Sequence, residues 1–294
     1  MLSTNLNQNI TDIQTPTKVA IQGYAGAFHD IAARLHFEDS PIEITPADTF
    51  EDLVNMVETG EMATAGLMAI ENSLAGSIMF NYQLLHGSEL QVTGEVYLRI
   101  KQNLMALPGV SIEDLEEVHS HYMAIAQCRE FFRQYPHIRL VESADTALSA
   151  KHIRDHQLTK TGAIASTLAA ELYHLDIIAP GIETNKKNYT RFLVLHPPNT
   201  PIEIPNADKV SLCFSVPHQV GSLYKVLGVL SAYNVNLTKI QSSPIVGKEW
   251  EYLFFVDFIA DENLGWQAAL DAIRPLTTSL RIMGVYAQGQ HFDY

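Results

Sequence analysis

From Lys18 onward the chain alternates short apolar runs with amphipathic stretches, and this order constrains the fold more than any other feature. KVAIQ and TAGLMAI are typical of buried strands. AFHDIAARLHF and TFEDLVNMVETG carry apolar residues at helical spacing, and Gly60 stops the second helix. The pattern predicts an α/β layer fold with a largely parallel sheet.

A second set of alternating elements follows after about one third of the chain. Its strands are VHSH, IRLVES, GAIAS and LDIIA, and its helices are MAIAQCREFFRQY, ADTALSAKHIRDHQ and STLAAELYH. With 294 residues, of which 47% are hydrophobic, the chain can bury more than one core. We therefore expect two or three folded units.

From residue 196 the sequence reads HPPNTPIEIPNADK, a segment that is rich in proline and has little hydrophobic periodicity. We predict a flexible tail at 1–17, a first region at 18–197, a linker at 198–208 and a last domain at 209–288. The last domain reads strand, helix, strand, strand, helix, strand. This βαββαβ order is ferredoxin-like.

Charge and cysteine content narrow the possible functions. The chain has 19 Lys plus Arg against 33 Asp plus Glu, a net charge of -14, which argues against nucleic acid or an anionic membrane as the main partner. Cys128 and Cys213 lie far apart without redox or metal-ligand spacing, so we expect reduced core thiols. No apolar run reaches the roughly 20 residues of a membrane span, and the start lacks signal-peptide features, so a cytoplasmic protein is expected.

Polar groups gather at the ends of several predicted elements. In QGYAGAFHD, Gly23 and Gly26 could present backbone N–H groups to an anion, although a plain tight turn is the favoured interpretation. In MAIENSLAGS, a buried strand ends at Glu71, Asn72 and Ser73, where open α/β sheets bind ligands. A helix N-cap by Asn72 or Ser73 is an equal alternative.

Two further segments carry candidate ligands. His119 and His121 in VHSHYMAIAQC precede a helix that carries Gln127, but no third metal ligand has convincing spacing, so we expect no metal. In NYTRF, Thr190 offers a hydroxyl and Arg191 a planar fork for a carboxylate. A surface arginine beside a strand-entry threonine is the alternative for this pair.

Taken together, these segments carry a resemblance to a known family. MAIENSLAGS, VTGE, VHSHYMAIAQC, AAELYHLDI and above all NYTRF, in this order, resemble prephenate dehydratase. The segment VPHQVGSLYKVLGVLSAYNVNLTKIQSSP resembles the ACT domain that such enzymes carry at the C-terminus. The resemblance covers roughly residues 18 to 288.

The resemblance implies an architecture and an activity. The first region is expected to have two lobes, similar to periplasmic binding proteins, with crossovers near 92–96 and 178–192 and the active site in the cleft between them. The implied reaction is the cofactor-free decarboxylating dehydration of prephenate to phenylpyruvate in L-phenylalanine biosynthesis. A homodimer or homotetramer is expected, inhibited by L-phenylalanine.

The resemblance also implies roles for single residues. Thr190 matches the residue regarded as essential in the family. We assign Arg191 to the pyruvyl carboxylate or to fixing the cleft, because a cation on the ring carboxylate would hold a charge that the reaction must release. The expected substrate-binding residues are Glu71, Asn72, Ser73, Gln127, Arg191 and Phe192. The expected effector-binding residues are Gly221, Ser222, Leu223, Asn236 and Leu237.

Some positions depart from the family pattern, and two other functions stay open. Ala27 and His29 replace hydroxyl residues in GYAGAFH, which puts a substrate role of that turn in doubt, and Ser243 stands where the ACT pattern has arginine. Arogenate dehydratase, which performs the same elimination on an amino-bearing substrate, is the first alternative. A non-catalytic, two-lobed small-molecule binding protein is the second.

Overall fold

The computed structural model describes residues 15–38, 40–260 and 266–294. Most of the predicted tail, residues 1–14, lies outside the described residues. Thr17, the last residue assigned to that tail, already pairs with Ile42 as the first residue of a strand.

The first lobe is built around a mixed sheet flanked by helices. Its elements are β1 (Thr17–Gln22), α1 (Phe28–His36), β2 (Ile42–Ala47), α2 (Phe50–Thr59), β3 (Ala65–Asn72), β4 (Gly76–Ser77), α3 (Met79–Gly87) and β5 (Gln91–Arg99). Helix α2 has clear limits in the sequence, because the Thr49 side chain accepts a hydrogen bond from the Asp52 N–H at its start and Gly60 adopts φ 68° after its end. Strand β2 was not predicted, and Pro46 within it fits its place at the sheet edge.

The second lobe has a smaller sheet with strand order β10-β6-β9-β7-β8. Its elements are β6 (Asn103–Ala106), β7 (Glu117–Ser120), α4 (Tyr122–Phe132), β8 (Arg139–Glu142), α5 (Thr146–His156), β9 (Thr161–Ala165), α6 (Thr167–Leu172) and β10 (Asp176–Ala179). The chain then returns to the first sheet as β11 (Tyr189–His196), which runs antiparallel between β3 and β5.

The chain crosses between the lobes twice. The prediction of a crossover near 92–96 is wrong, because these residues lie inside β5 and pair with β11. Strand β5 continues without a break to Arg99, and the chain passes to the second sheet only after that residue. The return between Ala179 and Tyr189 lies within the predicted range 178–192.

The C-terminal domain has the expected βαββαβ order, which confirms the ferredoxin-like prediction. Its elements are β12 (Lys209–Ser215), α7 (Ser222–Ala232), β13 (Asn236–Pro244), β14 (Tyr252–Ile259), α8 (Trp266–Ile273) and β15 (Ser279–Tyr286), with strand order β13-β14-β12-β15. Residues 197–208, between β11 and β12, form no strand or helix. The last short strand, β16 (His291–Phe292), was not predicted and pairs with β5.

The C-terminal domain joins the first lobe through one continuous sheet, since β15 pairs in parallel with β5 at Gly284 and Val92. A Cβ atom at Gly284 would lie 2.1 Å from the Val92 carbonyl oxygen, so only glycine permits this approach. Phe255 and Tyr286 of the C-terminal domain also share an apolar core with Leu195 of the first lobe. These contacts tie the two domains firmly together.

Candidate active site

A cavity of about 570 Å³ lies in the cleft between the two lobes. The first lobe lines it with residues that include Asn72, Thr190 and Phe192, and the second lobe faces them with Gln127. We call this cavity the cleft. A second cavity of about 510 Å³, between the first lobe and the C-terminal segment, contains none of the predicted site residues.

The floor of the cleft is formed where β3 and β11 pair, with Asn72 directly opposite Thr190. The Asn72 Nδ2 amide donates to Thr190 Oγ1 at 3.0 Å and to Asn188 Oδ1 at 2.8 Å. Among the residues the structure describes, none accepts the hydroxyl proton of Thr190. The hydroxyl is therefore held by an incoming hydrogen bond while its own proton stays available to a ligand.

The other end of the Asn72 side chain fixes the loop after β3. Its Oδ1 accepts hydrogen bonds from the Leu74 and Ala75 N–H groups, both at 3.0 Å. This is a side-chain-closed turn and not a helix N-cap, so the capping alternative for Asn72 is wrong. The turn locks the orientation of the amide that faces Thr190.

The second lobe presents Gln127 from helix α4, and a neighbouring side chain orients it. Gln102 Nε2 donates to Gln127 Oε1 at 3.3 Å. Gln102 itself lines the cleft, is 3% exposed and has no partner for its Oε1 atom among the described residues. Because buried polar atoms are normally hydrogen-bonded, Gln102 Oε1 is a site for a ligand donor or water.

His29 is a second cleft residue whose role the sequence did not reveal. Its ring packs edge-on against the Phe192 ring, with the two ring centroids 4.9 Å apart. Its Nε2 atom is buried and has no hydrogen-bond partner among the described residues. Burial lowers the pKa of His29 to about 4, so the imidazole is neutral near pH 7. The sequence signal was present, because His29 is the departure in GYAGAFH that had cast doubt on this turn.

The glycine turn before α1 acts as a structural element, as the favoured interpretation predicts. The Gly26 N–H donates to Asp30 Oδ2 at 2.8 Å, so it is not free for an anion. The turn also joins the lobes, since Ser166 Oγ donates to the Gly26 carbonyl at 2.5 Å and Tyr173 OH to the Ala25 carbonyl at 2.7 Å.

The acidic and histidine side chains of the cleft form no metal centre. His119 pairs with Glu117 outside the cleft, whereas His121 lines the cleft and caps α4 by accepting from the Met123 N–H. Burial lowers the pKa of His121 and raises the pKa of Asp145, whose carboxylate caps α5 on the cleft wall. Within residues 15–38, 40–260 and 266–294, no group of three His, Cys, Asp or Glu side chains could hold a metal ion.

Arg191 does not face the cleft, and the assignment to the pyruvyl carboxylate is corrected. Neighbouring residues on a strand point to opposite faces, so Thr190 and Phe192 reach the cleft while Arg191 points away. Its guanidinium donates to Glu95 at 2.7 Å and to Asp257 of the C-terminal domain at 2.5 Å. Arg191 is only 4% exposed, which also excludes the surface alternative.

Glu71 and Ser73 also lie outside the cleft lining. The Glu71 carboxylate pairs with Lys239 of the C-terminal domain at 2.8 Å. Ser73 Oγ accepts from the Tyr189 N–H at 2.9 Å and donates to the Lys187 carbonyl, which fastens the returning crossover to the end of β3. Both residues support the floor from behind and do not reach into the cavity.

The predicted effector residues lie at the start of α7 and the start of β13. Gly221 caps α7 with φ 79°, and a Cβ atom there would meet no atom within 4 Å. Ser222 and Leu223 begin the helix, and Asn236 and Leu237 begin the strand. Neither of the two large cavities is lined by these residues, so their effector role stays a prediction.

Comparison with known proteins gives a family for each part of the chain. The family model for prephenate dehydratase matches residues 19–200, and that for the ACT domain matches residues 210–265. Arogenate dehydratase 2 of Petunia hybrida is 38% identical over 291 residues, covering 92% of this chain and 71% of the relative.

Two solved structures share the whole architecture. One, described as GqqA, a novel type of quorum quenching acylases, has a TM-score of 0.82 and 31% identity and covers 92% of this chain and 98% of its own. The other is prephenate dehydratase from Arthrobacter aurescens in complex with L-Phe, with a TM-score of 0.80 and 26% identity, covering 92% of this chain and 90% of its own. The prediction of a two-lobed region followed by an ACT domain is confirmed. Among the described residues, no helix is long and apolar enough to span a bilayer.

Proposed function

The chain belongs to the prephenate dehydratase family of lyases, and on this premise we propose that it converts prephenate to phenylpyruvate in L-phenylalanine biosynthesis. The observation that carries the proposal is the Thr190–Asn72 pair on the floor of the cleft, which leaves a hydroxyl proton free for a ligand. Hydrogen-bond donors placed where charge develops are a major source of catalysis.

In the proposed reaction, the bond between the ring and its carboxylate breaks and carbon dioxide departs. The electron pair forms a double bond at the ring carbon that lost the carboxylate, and the neighbouring ring double bond shifts toward the carbon that bears the 4-hydroxyl. The hydroxyl departs with the electron pair of its C–O bond, takes up a proton from water and leaves as water. Thr190 donates a hydrogen bond to the departing oxygen and so stabilises the charge that develops there. The neutral His29 imidazole does not act as a charged acid near pH 7, because burial lowers its pKa to about 4.

The charge pattern of the cleft suits the loss of a carboxylate. Among the described residues that line the cleft, there is no lysine and no arginine. A cation on the ring carboxylate would stabilise the ground state more than the transition state. The neutral amide of Gln127, whose Oε1 is held by Gln102, can donate to the substrate without opposing decarboxylation.

Arogenate is a second candidate substrate, and a specific observation favours it. The cleft is lined by the carboxylates of Asp48, Glu51 and Asp145. These groups can accept from the ammonium group that arogenate carries in place of the keto group of prephenate. The relative from Petunia hybrida is named for this activity.

The two substrates are distinguished by a direct rate comparison. Purified protein is given prephenate and arogenate separately, with phenylpyruvate read by its absorbance in base and phenylalanine by chromatography. Asp145→Asn is the diagnostic variant. A carboxylate that binds the ammonium group predicts a larger loss of kcat/KM on arogenate than on prephenate, and Glu113→Gln on the far surface serves as control. If the folded parent releases neither product, the proposed dehydratase activity is rejected. The alternative of a non-catalytic binding protein would then be favoured.

L-Phenylalanine is proposed as an inhibitor that binds the ACT domain near Gly221, Ser222 and Asn236, in a homodimer or homotetramer. The support is the matched ACT model and the L-Phe complex of the Arthrobacter aurescens structure. Gly221→Val is expected to weaken inhibition, because its φ of 79° suits only glycine and the bulkier side chain covers the proposed site. Gly228→Val, in the same helix but away from its start, is the matched control. If L-phenylalanine inhibits Gly221→Val as strongly as Gly228→Val and the parent, the inhibitor binds elsewhere.

A further inference from the structure

Behind the floor of the cleft, a group of buried charges joins the catalytic region to the ACT domain. Glu95 and Arg191 come from the first lobe, Lys209 and Asp257 come from the ACT domain, and each is at most 5% exposed. Lys209 Nζ lies 2.8 Å from Glu95 Oε1, and Arg191 bridges Glu95 and Asp257. The charges balance, so every buried ion has a partner of opposite sign.

Neutral groups complete the hydrogen bonding of these ions. Arg191 donates to Tyr286 OH at 2.9 Å, and Ser211 donates to Asp257 Oδ1 at 2.6 Å. Burial by itself lowers the pKa of Arg191, but Asp257, Tyr286 and Glu95 outweigh it and hold the pKa well above its ordinary value. The guanidinium is therefore a permanent charge fixed by the ACT domain.

A second ion pair reaches the neighbouring strand of the floor. Lys239 of the ACT domain lies 2.8 Å from Glu71, and it also donates to Ser77 Oγ at 2.8 Å. Glu71 pairs opposite Arg191 in the ladder between β3 and β11. The next pair of that ladder is Asn72 with Thr190, the hydrogen-bonded pair that faces the cleft.

We propose that Arg191 and Glu71 are positioning residues through which the ACT domain holds the Thr190 hydroxyl and the Asn72 amide in their reactive arrangement. The inference rests on the proposed function, because it concerns the geometry of that same site. Each residue is one position away from a group on the cleft floor, so a shift of its side chain moves the peptide that carries that group.

The ladder between β3 and β11 is irregular at this point, so contacts from outside the ladder help to set how the two strands lie against each other. The pairing shifts register between Arg191 and Phe192. Bulges of this kind redirect side chains, and their geometry depends on neighbouring contacts. The hydrogen bond from the guanidinium to Asp257 holds the Thr190–Arg191 peptide from the side away from the cleft.

The experiment separates positioning from plain stability by comparing contacts between the same two domains. Asp257→Asn removes the charge that fixes Arg191 and touches nothing in the cleft. Arg281→Met is the matched control, because Arg281 also bridges the domains by donating to the His86 and Leu90 carbonyls, neither of which belongs to β3 or β11. For each variant, kcat, KM and thermal unfolding are measured on the whole chain.

The expected result is a fall in kcat of about 10-fold or more for Asp257→Asn with KM within a few-fold of the parent, since small misplacements of a reacting group cost rate. Arg281→Met is expected to keep the parent kcat even where its melting temperature falls. Lys239→Met, which removes the ionic partner of Glu71, is expected to lower kcat by a smaller factor. If Asp257→Asn does not fold, a lower kcat with nearly unchanged KM in Lys239→Met tests the proposal in its place.

Two outcomes would overturn the proposal. One is a parent-like kcat in the folded Asp257→Asn and Lys239→Met proteins. The other is an equal loss of kcat in Arg281→Met, which would show general loosening of the domains. A parent that turns over neither prephenate nor arogenate would instead reject the proposed function, so the two failures are distinguishable.

Discussion

The two lobes contact each other in a very different way from the first lobe and the ACT domain. Between the lobes, Ser166 and Tyr173 donate hydrogen bonds to backbone carbonyls at the glycine turn, and Ala27 and Leu168 each pack into the apolar core of the opposite lobe. Between the first lobe and the ACT domain, there is a shared sheet, a shared apolar core and the buried ions around Arg191. Because, in the described part of the chain, a shared sheet and buried ions join only the first lobe and the ACT domain, we expect the two lobes to separate more readily than these two domains.

Removal of the ACT domain is the most severe test of this comparison. A chain that ends at Pro205 leaves the apolar face of Leu195 and Met68 uncovered. It also removes Asp257 and Lys209, so that, among the described residues, Arg191 and Glu95 keep only each other as ionic partners. Apolar surface that loses its cover destabilises the folded chain and leads to aggregation. We expect the truncated chain to lose its cooperative thermal transition. A truncated chain that melts cooperatively and keeps the parent turnover would show that the two domains are independent.

The next largest effect is expected on the cleft side of β11. Thr190→Val keeps the shape of the side chain but removes the hydroxyl that Asn72 holds at 3.0 Å. Loss of one donor at a developing charge lowers kcat by on the order of 100-fold. Thr64→Val, at an exposed position, is the control. Parent-like turnover in folded Thr190→Val protein would remove Thr190 from the mechanism.

Two Tyr→Phe substitutions compare the interfaces directly. Tyr286→Phe deprives Arg191 and Ser211 of a buried partner, and leaving such groups unsatisfied costs about 1–3 kcal/mol of unfolding free energy. Tyr173→Phe removes a half-buried hydrogen bond to the Ala25 carbonyl between the lobes. We expect this change to lower the unfolding free energy by about 1 kcal/mol or less. Chemical denaturation of both variants measures the difference. A larger loss for Tyr173→Phe would reverse our ranking of the interfaces.

The smallest expected effect near neutral pH comes from the histidines buried in the first lobe, because their influence on stability appears only as the pH falls. Burial lowers the pKa of His29 and of His196 to about 4 from an ordinary value of 6.5. Because the unfolded chain binds protons more readily at these sites, their contribution is fully present above pH 6.5 and is lost as the pH falls toward 4. His29→Gln is expected to flatten this part of the curve of unfolding free energy against pH. The surface variant His137→Gln serves as control, and an equal slope in the two variants would contradict the assignment.

The sequence predicted most helices and strands, because their limits are local. Gly60, the apolar spacing of α2 and the proline-rich segment after β11 each act within a few residues. The first crossover was misplaced because nothing in the run from Gln91 to Arg99 distinguishes a strand that stays in one sheet from one that changes lobe. The short strand β16 depends on a distant partner in β5 and left no signal in its own residues.

Within the site, the sequence identified Asn72, Gln127, Thr190 and Phe192, which the structure places around one cavity. Of the two roles assigned to Arg191, binding of the pyruvyl carboxylate was wrong although the necessary information was present, since adjacent residues of a strand point to opposite faces. The other role, fixing the cleft, stays a prediction. Gln102 escaped notice because its role depends on the crossover that brings it beside Gln127. Asp257 and Lys239, the partners of Arg191 and Glu71, belong to another domain. Only the folded chain brings them behind the floor of the cleft.

The central claim is that the cleft floored by Thr190 and Asn72 performs the elimination with the groups of this chain alone. The most direct measurement incubates purified, EDTA-treated protein with prephenate and follows phenylpyruvate by its absorbance in base. Our account predicts continuous product formation by the parent, unchanged when divalent ions are restored, and a rate lower by on the order of 100-fold for Thr190→Val. Activity that vanishes with EDTA and returns with a divalent ion, or equal rates for the parent and Thr190→Val, would contradict it.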